Sequence, residues 1–209
     1  LYMPYYLNKH ILFIHIPKTG GTTIEELFRK NDNERVYSSI GIGDTNRILP
    51  PPFDRVSLQH QFYTTILKFK DKLGVVFNDK LRIFSIVRDP YRRIISDMMF
   101  LNIVNPDSTP EKVFECMKNY VIAEKYDNHN VPQYKFITDK QGNLIPEINI
   151  FRNETLNDDM QKFGFEIKQN FQVGKKVDYN KYLNDDSINL INTIYKKDFQ
   201  LFNYEMREI

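Results

Sequence analysis

The chain has 209 residues, no tryptophan and a single cysteine, Cys116. One thiol rules out an intrachain disulfide, and with it a small secreted scaffold held together by bridges. Long apolar runs are missing as well. Stretches such as Ile11–Ile16 fall far short of the roughly 20 residues that cross a bilayer. There is no internal repeat and no low-complexity tract. Neither sign of charge is in excess: Lys plus Arg number 29 and Asp plus Glu 27, a net charge of +2. Bulk charge therefore calls for neither a nucleic acid nor an anionic membrane as partner. Any anion has to be held by local placement of charge.

What is there is the composition of a soluble globular protein: 41% hydrophobic, 27% charged and 14% aromatic residues. The length suits one α/β domain covering residues 1–209. Ile11-Leu-Phe-Ile-His-Ile16 and Arg82-Ile-Phe-Ser-Ile-Val87 read as buried strands, short and rich in apolar and β-branched residues. Helices are expected over Thr22–Lys30, Gln61–Lys70, Asn153–Phe163 and Asp185–Phe199. Asp89-Pro90 opens another, running to Leu101, with Asp89 as N-cap and Pro90 in the first helical position. Thr109-Pro110-Glu111 opens one more. Further strands are expected over Arg55–Gln59, Tyr134–Thr138 and Ile145–Phe151, and residues 31–54 read as loop. Strands alternating with helices imply a mainly parallel central sheet flanked by helices.

Two strand-to-helix corners carry the chemistry. In open α/β sheets, ligands bind beyond the carboxyl ends of the strands. Pro17-Lys-Thr-Gly-Gly-Thr-Thr23 stands at such an end. Gly20 and Gly21 let backbone N–H groups approach an anion, and the following helix aims its positive dipole end at the same spot. Lys18 adds a mobile charge, and Thr22 and Thr23 add hydroxyl donors. Lys18 precedes both glycines, which is not the Walker A order. Read alone, the segment better describes an ordinary strand-to-helix turn with a surface lysine. The second corner is Val87-Arg-Asp-Pro-Tyr-Arg-Arg-Ile-Ile-Ser96. Arg88 offers a planar fork of donors to a phosphate, and Ser96 offers a hydroxyl about two turns into the helix. Alone, this too could be an ion pair pinning a helix start.

Together the corners resemble the PAPS-dependent sulfotransferases, PAPS being 3′-phosphoadenosine 5′-phosphosulfate. Phe13-Ile-His-Ile-Pro-Lys-Thr-Gly-Gly-Thr-Thr23 is similar to their 5′-phosphosulfate loop, and Val87-Arg-Asp-Pro-x-x-Arg-x-x-Ser96 to their 3′-phosphate segment. The carbohydrate enzymes of the heparan sulfate 2-O type are the nearest in wording. Val131-Pro-Gln-Tyr-Lys-Phe-Ile137, Phe151-Arg-x-Glu154 and Tyr195-x-x-Asp-Phe-x-x-Phe-x-Tyr204 continue the resemblance over most of residues 11–205. It implies a three-layer, P-loop-like fold and sulfuryl transfer from PAPS to an acceptor hydroxyl, on a saccharide, leaving PAP. It also implies that Lys18 contacts the phosphosulfate, that backbone groups of Thr19, Gly20, Gly21, Thr22 and Thr23 hold the 5′-phosphate, and that Arg88 and Ser96 hold the 3′-phosphate.

Such a transfer needs a base for the hydroxyl proton and positive charge on the leaving oxygen. Lys18 suits the second role, no metal is required, and no H-x-x-x-H or cysteine cluster suggests one. Of the four histidines, His60 is the first choice as base. Its stretch, His60-Gln-Phe-Tyr63, resembles one that precedes the Arg-Asp-Pro strand in the 2-O enzymes. His129 is the second candidate, and Glu25 and Glu26 rank below it. His15 reads as support for the loop and His10 as solvent-facing. Lys175 and Lys176 read as a solvated pair, and Cys116 as core. A P-loop nucleotide kinase and a non-catalytic nucleotide-binding module are the alternatives. Oligomeric state and compartment stay open. Leu1–Lys9 lacks the pattern of a leader, which points to the cytoplasm, and trimming before Leu1 would admit the Golgi lumen.

Overall fold

A computed structural model describes residues 3–29, 48–124, 126–167 and 177–209. In chain order these form β1 (Tyr5–Tyr6), β2 (Ile11–Ile14), α1 (Gly21–Arg29), α2 (Tyr63–Lys68), α3 (Lys70–Leu73) and β3 (Arg82–Val87). Then come α4 (Pro90–Phe100), α5 (Pro110–Ile122), β4 (Ile148–Arg152), α6 (Leu156–Lys162), α7 (Asp185–Ile194) and α8 (Lys196–Phe202). The four strands lie side by side in sequence order. β2, β3 and β4 are parallel, with Leu12 opposite Ile83 and Ile83 opposite Ile148, and β1 adds an antiparallel edge.

Alternation along the strands builds the layers. Ile11, Phe13, Phe84 and Ile86 turn to one face, where Ile24, Leu27 and Phe28 of α1 and Leu156 and Met160 of α6 cover them. Leu12, Ile14, Ile83 and Val87 turn to the other, against Tyr63 and Ile66 of α2, Phe136, Ile137 and Phe202. A sheet covered on both faces has continuous apolar strands, which is why β2 is buried at every position. Each of these side chains contributes about 1.5–3 kcal/mol by leaving water. A second helical cluster joins α4, α5 and α7 through Ile94, Ile95, Met98, Val113, Met117, Ile191 and Tyr195. Cys116 is half-buried against it.

The helix starts follow their caps. Asp89 Oδ1 accepts the Arg92 N–H at 2.9 Å with Pro90 at the first position, and Thr109 Oγ1 accepts the Lys112 N–H at 3.3 Å. Three expectations give way to side-chain hydrogen bonding, most of it from residues distant in sequence. Arg55–Gln59 is not a strand but two 3₁₀ turns, Phe53–Arg55 and Leu58–His60. The Asp127 carboxylate takes the Ser57 N–H, and the Gln61 amide takes the carbonyls of Phe53 and Val56, so those groups cannot join a ladder. Tyr134–Thr138 is a 3₁₀ turn over Gln133–Phe136 with a single bridge, Thr138 to Leu144. Asp198 captures the N–H groups of Gln133 and Tyr134, both at 2.8 Å. The expected helix 185–199 breaks at Tyr195, whose hydroxyl donates to the Asn130 carbonyl at 2.8 Å. Lys175, Lys176 and residues 31–47 lie outside the described residues.

Candidate functional site

The corners after β2 and β3 meet. Because the two strands are parallel neighbours, their carboxyl ends open on the same edge, and Arg88 Nη1 donates to the Lys18 carbonyl at 3.1 Å. Arg88 Nη2 donates to the Tyr179 hydroxyl at 3.2 Å, while Arg88 Nε is buried with no hydrogen-bond partner. An orphaned guanidinium N–H at this corner fits a site that receives an anion. Lys18 adopts a left-handed φ of +65°, and Gly20 follows at +118°. A left-handed lysine is locally strained, the kind of outlier that surrounding structure must hold in place. Burial lowers the Lys18 pKa, Arg88 lowers it further, and Asp97 opposes both.

The other loop residues divide by role. Thr19 is fully buried, its hydroxyl donating to the Ile16 carbonyl at 2.8 Å and its carbonyl accepting from Asn153 Nδ2 at 2.8 Å. Its side chain shapes the loop. The Thr23 N–H donates to the Gly20 carbonyl at 3.1 Å. Thr22 is exposed and Thr23 half-buried at the start of α1. Gly21 is required for space: a Cβ there would lie 1.9 Å from His15 Nε2. Thus His15 packs under the loop, as expected of a support. Ser96 is half-buried on α4, beyond Arg93. Arg93 itself is 3% exposed and clamps three carbonyls, those of Pro17, Val131 and His129, at 3.0, 3.0 and 2.6 Å. It fastens the first corner to the segment that carries His129.

Three histidines gather beside this loop. His60 meets His15 and His129 edge-on, with ring centroids 5.1 and 4.8 Å apart. Two of them have carboxylate partners that sequence reasoning missed. His60 Nδ1 lies 2.8 Å from Asp127 Oδ2, and Asp127 also accepts the Ser57 hydroxyl at 2.7 Å. His129 Nδ1 lies 2.7 Å from Asp97 Oδ1, and Asp97 also accepts the Tyr120 hydroxyl. Burial alone would raise the Asp127 pKa, but the bonds from His60 and Ser57 bring it below the ordinary value. An ionised Asp127 fixes a proton on His60 Nδ1 and leaves Nε2 bare. Desolvation lowers the His60 pKa against the pull of Asp127, and lowers that of His15 further. Glu25 and Glu26 are half-buried on α1, and His10 is half-buried in the turn before β2.

His60, Asp127 and His129 each bring a ligating atom within 4.8 Å of the others, a donor set that could take a divalent cation. The separations of 2.8 and 2.7 Å to the carboxylates are hydrogen-bond lengths, however, and describe two Asp–His dyads. Asp127 and Asp97 had no signal in the sequence. The first looks like a turn residue and the second is hidden in a helix.

Segments downstream prove to be supports. Gln133 pairs its side-chain amide with both backbone groups of Arg88, at 2.9 Å each, and Glu154 accepts the Asp89 N–H at 3.0 Å and the Tyr204 hydroxyl at 2.8 Å. Among the described residues no helix is long and apolar enough to cross a membrane. No curated protein and no solved structure matches the chain. A family model does, over residues 7–205, a span that takes in both corners, the two dyads and the supports around them. The chain belongs to the sulfotransferase family.

Proposed function

We propose that this sulfotransferase draws its sulfuryl group from PAPS and delivers it to a hydroxyl of a saccharide, with His60 as the base. One observation carries the reading: Arg88 bonds to the backbone of Lys18, so two cationic corners face one space, with an Asp-oriented histidine beside it. The residues suit the donor. Lys18 and the first-turn amides of α1 would take the phosphosulfate, and Arg88, with Ser96, the 3′-phosphate. PAPS supplies an activated sulfur with a phosphate leaving group. The acceptor proton passes to His60 Nε2 as its oxygen bonds to sulfur. The sulfur–oxygen bond to phosphate breaks, and its electron pair leaves with PAP, where Lys18 offsets the charge. The sequence resemblance favours a saccharide as acceptor. The same reading takes residues 1–209 as one domain.

A kinase is not favoured, since Lys18 precedes the glycines, the reverse of the Walker A order. Thermal shift separates the two: PAP should stabilise the protein more than ATP with Mg²⁺ does. The opposite ranking removes the PAPS reading. Transfer from radiolabelled PAPS to a glycan panel then separates an enzyme from a silent binding module.

A further inference from the structure

An exposed phenylalanine signifies nothing by itself. Phe100, at the end of α4 and 59% exposed, differs in what its ring touches. Lys18 Nζ lies over the ring, 3.9 Å from its centroid. The His129 ring lies parallel to it, within 1°, at a centroid separation of 5.7 Å, and His129 in turn meets His60. The ring therefore stands between the cation assigned to the leaving group and the histidines assigned to the acceptor proton. Two residues further along the chain begins a cavity of about 560 Å³, lined by Asn102, Asn105, Asp107, Ser108, Thr109 and Lys112 among others. An exposed aromatic face followed along the chain by a lining of amides, hydroxyls and charges, with Ile103 and Val104 among them, matches a ligand with one C–H face and many hydroxyls.

We infer that Phe100 is an acceptor-binding residue whose ring takes the apolar face of a sugar, and that Lys18 covers this ring until a donor phosphosulfate draws the ammonium off. The inference rests on the PAPS reading above and adds to it an order of binding. A charge-assisted bond to an anion outweighs a cation–π contact at an exposed site, so the donor wins the competition for Lys18. Uncovering of Phe100 is then linked to donor occupancy, and donor and acceptor raise each other's affinity by the same factor.

The absence of native tryptophan makes the test direct, because F100W installs the sole indole of the chain. PAP should shift the emission of F100W, and K18A in that background should remove the shift. With PAP bound, a heparosan or chondroitin hexasaccharide should change the emission again, at roughly 5-fold lower concentration or less than without PAP. F100A should bind PAP about 2- to 5-fold more tightly, since the ring no longer competes for Lys18, and keep its melting temperature while its acceptor KM rises about 10-fold. The inference is overturned if calorimetry shows PAP binding to F100W and the emission does not move, or if neither glycan perturbs it with PAP bound. An unchanged acceptor KM in F100A overturns it too. Failure of PAP to bind the wild type is a distinct result, and removes the PAPS reading itself.

Discussion

His60 holds its proton against two opposed influences. Burial disfavours the imidazolium, Asp127 favours it, and the net result is a pKa below the ordinary 6.5. The ring is thus neutral at pH 7 and ready to accept. Activity should be level around neutrality and fall on the acid side as His60 protonates, with the midpoint below 6.5. Asp127→Asn removes the charge that favours the imidazolium, so the acid limb should move to still lower pH. Because Nδ1 is then no longer fixed as the donor, kcat should also drop by about 10²-fold or more. His60→Ala should lower kcat by about 10²- to 10⁴-fold without changing PAP affinity. A pH–rate profile with PAP calorimetry reads all three. An acid limb that stays put in Asp127→Asn would hand the base role to His129. The sequence could suggest His60, which sits in a recognisable stretch, but not its partner. Asp127 is 67 positions away, and only the folding of the 3₁₀ turn Leu58–His60 against it makes the pair.

Elements whose cause is local were legible. β2 and β3 announce themselves as apolar runs, and α4 and α5 by Asp89-Pro90 and Thr109-Pro110, since a cap acts within three residues. Tyr134–Thr138 was misread because alternation records which side chains face inward, not whether the backbone is free to pair. Here Asp198 had taken the N–H groups. The loop between β2 and α1 mixes the two cases. Gly20 is legible as a turn glycine, whereas Gly21 is demanded by His15, a contact across the corner. Gly21→Ala should therefore cost on the order of 1–3 kcal/mol and weaken PAP binding. Adding His15→Ala should recover part of that loss, because the obstructed volume is vacated. Denaturation of the four proteins of this cycle decides it; strict additivity would mean that His15 is not the obstacle.

On the scale of the molecule, the two corners are held by a chain of polar contacts that reaches α8. Asp198 grips the N–H groups of Gln133 and Tyr134, Gln133 grips the backbone of Arg88, and Arg88 reaches the Lys18 carbonyl. Asp198 has no exposed surface, and burial pushes its pKa up to about 6, against the pull of those two N–H bonds and of Arg93. An acid whose folded pKa exceeds its unfolded value of 3.8 gives stability that is complete below pH 3.8 and is lost as pH rises through about 6. A displacement of that size is worth about 3 kcal/mol. Other groups titrate in the same window, so the quantity to measure is the stability of wild type minus that of Asp198→Asn, in which this position cannot ionise. The difference should favour wild type by about 2 kcal/mol more at pH 4 than at pH 7, since the unfolded carboxyl is already partly ionised at pH 4, as read by chemical denaturation at each pH. A difference that does not vary with pH would mean that Asp198 ionises as freely folded as unfolded. The buried grip on Gln133 would then impose no electrostatic cost on the fold, and the link from α8 to Arg88 would rest on its hydrogen bonds alone.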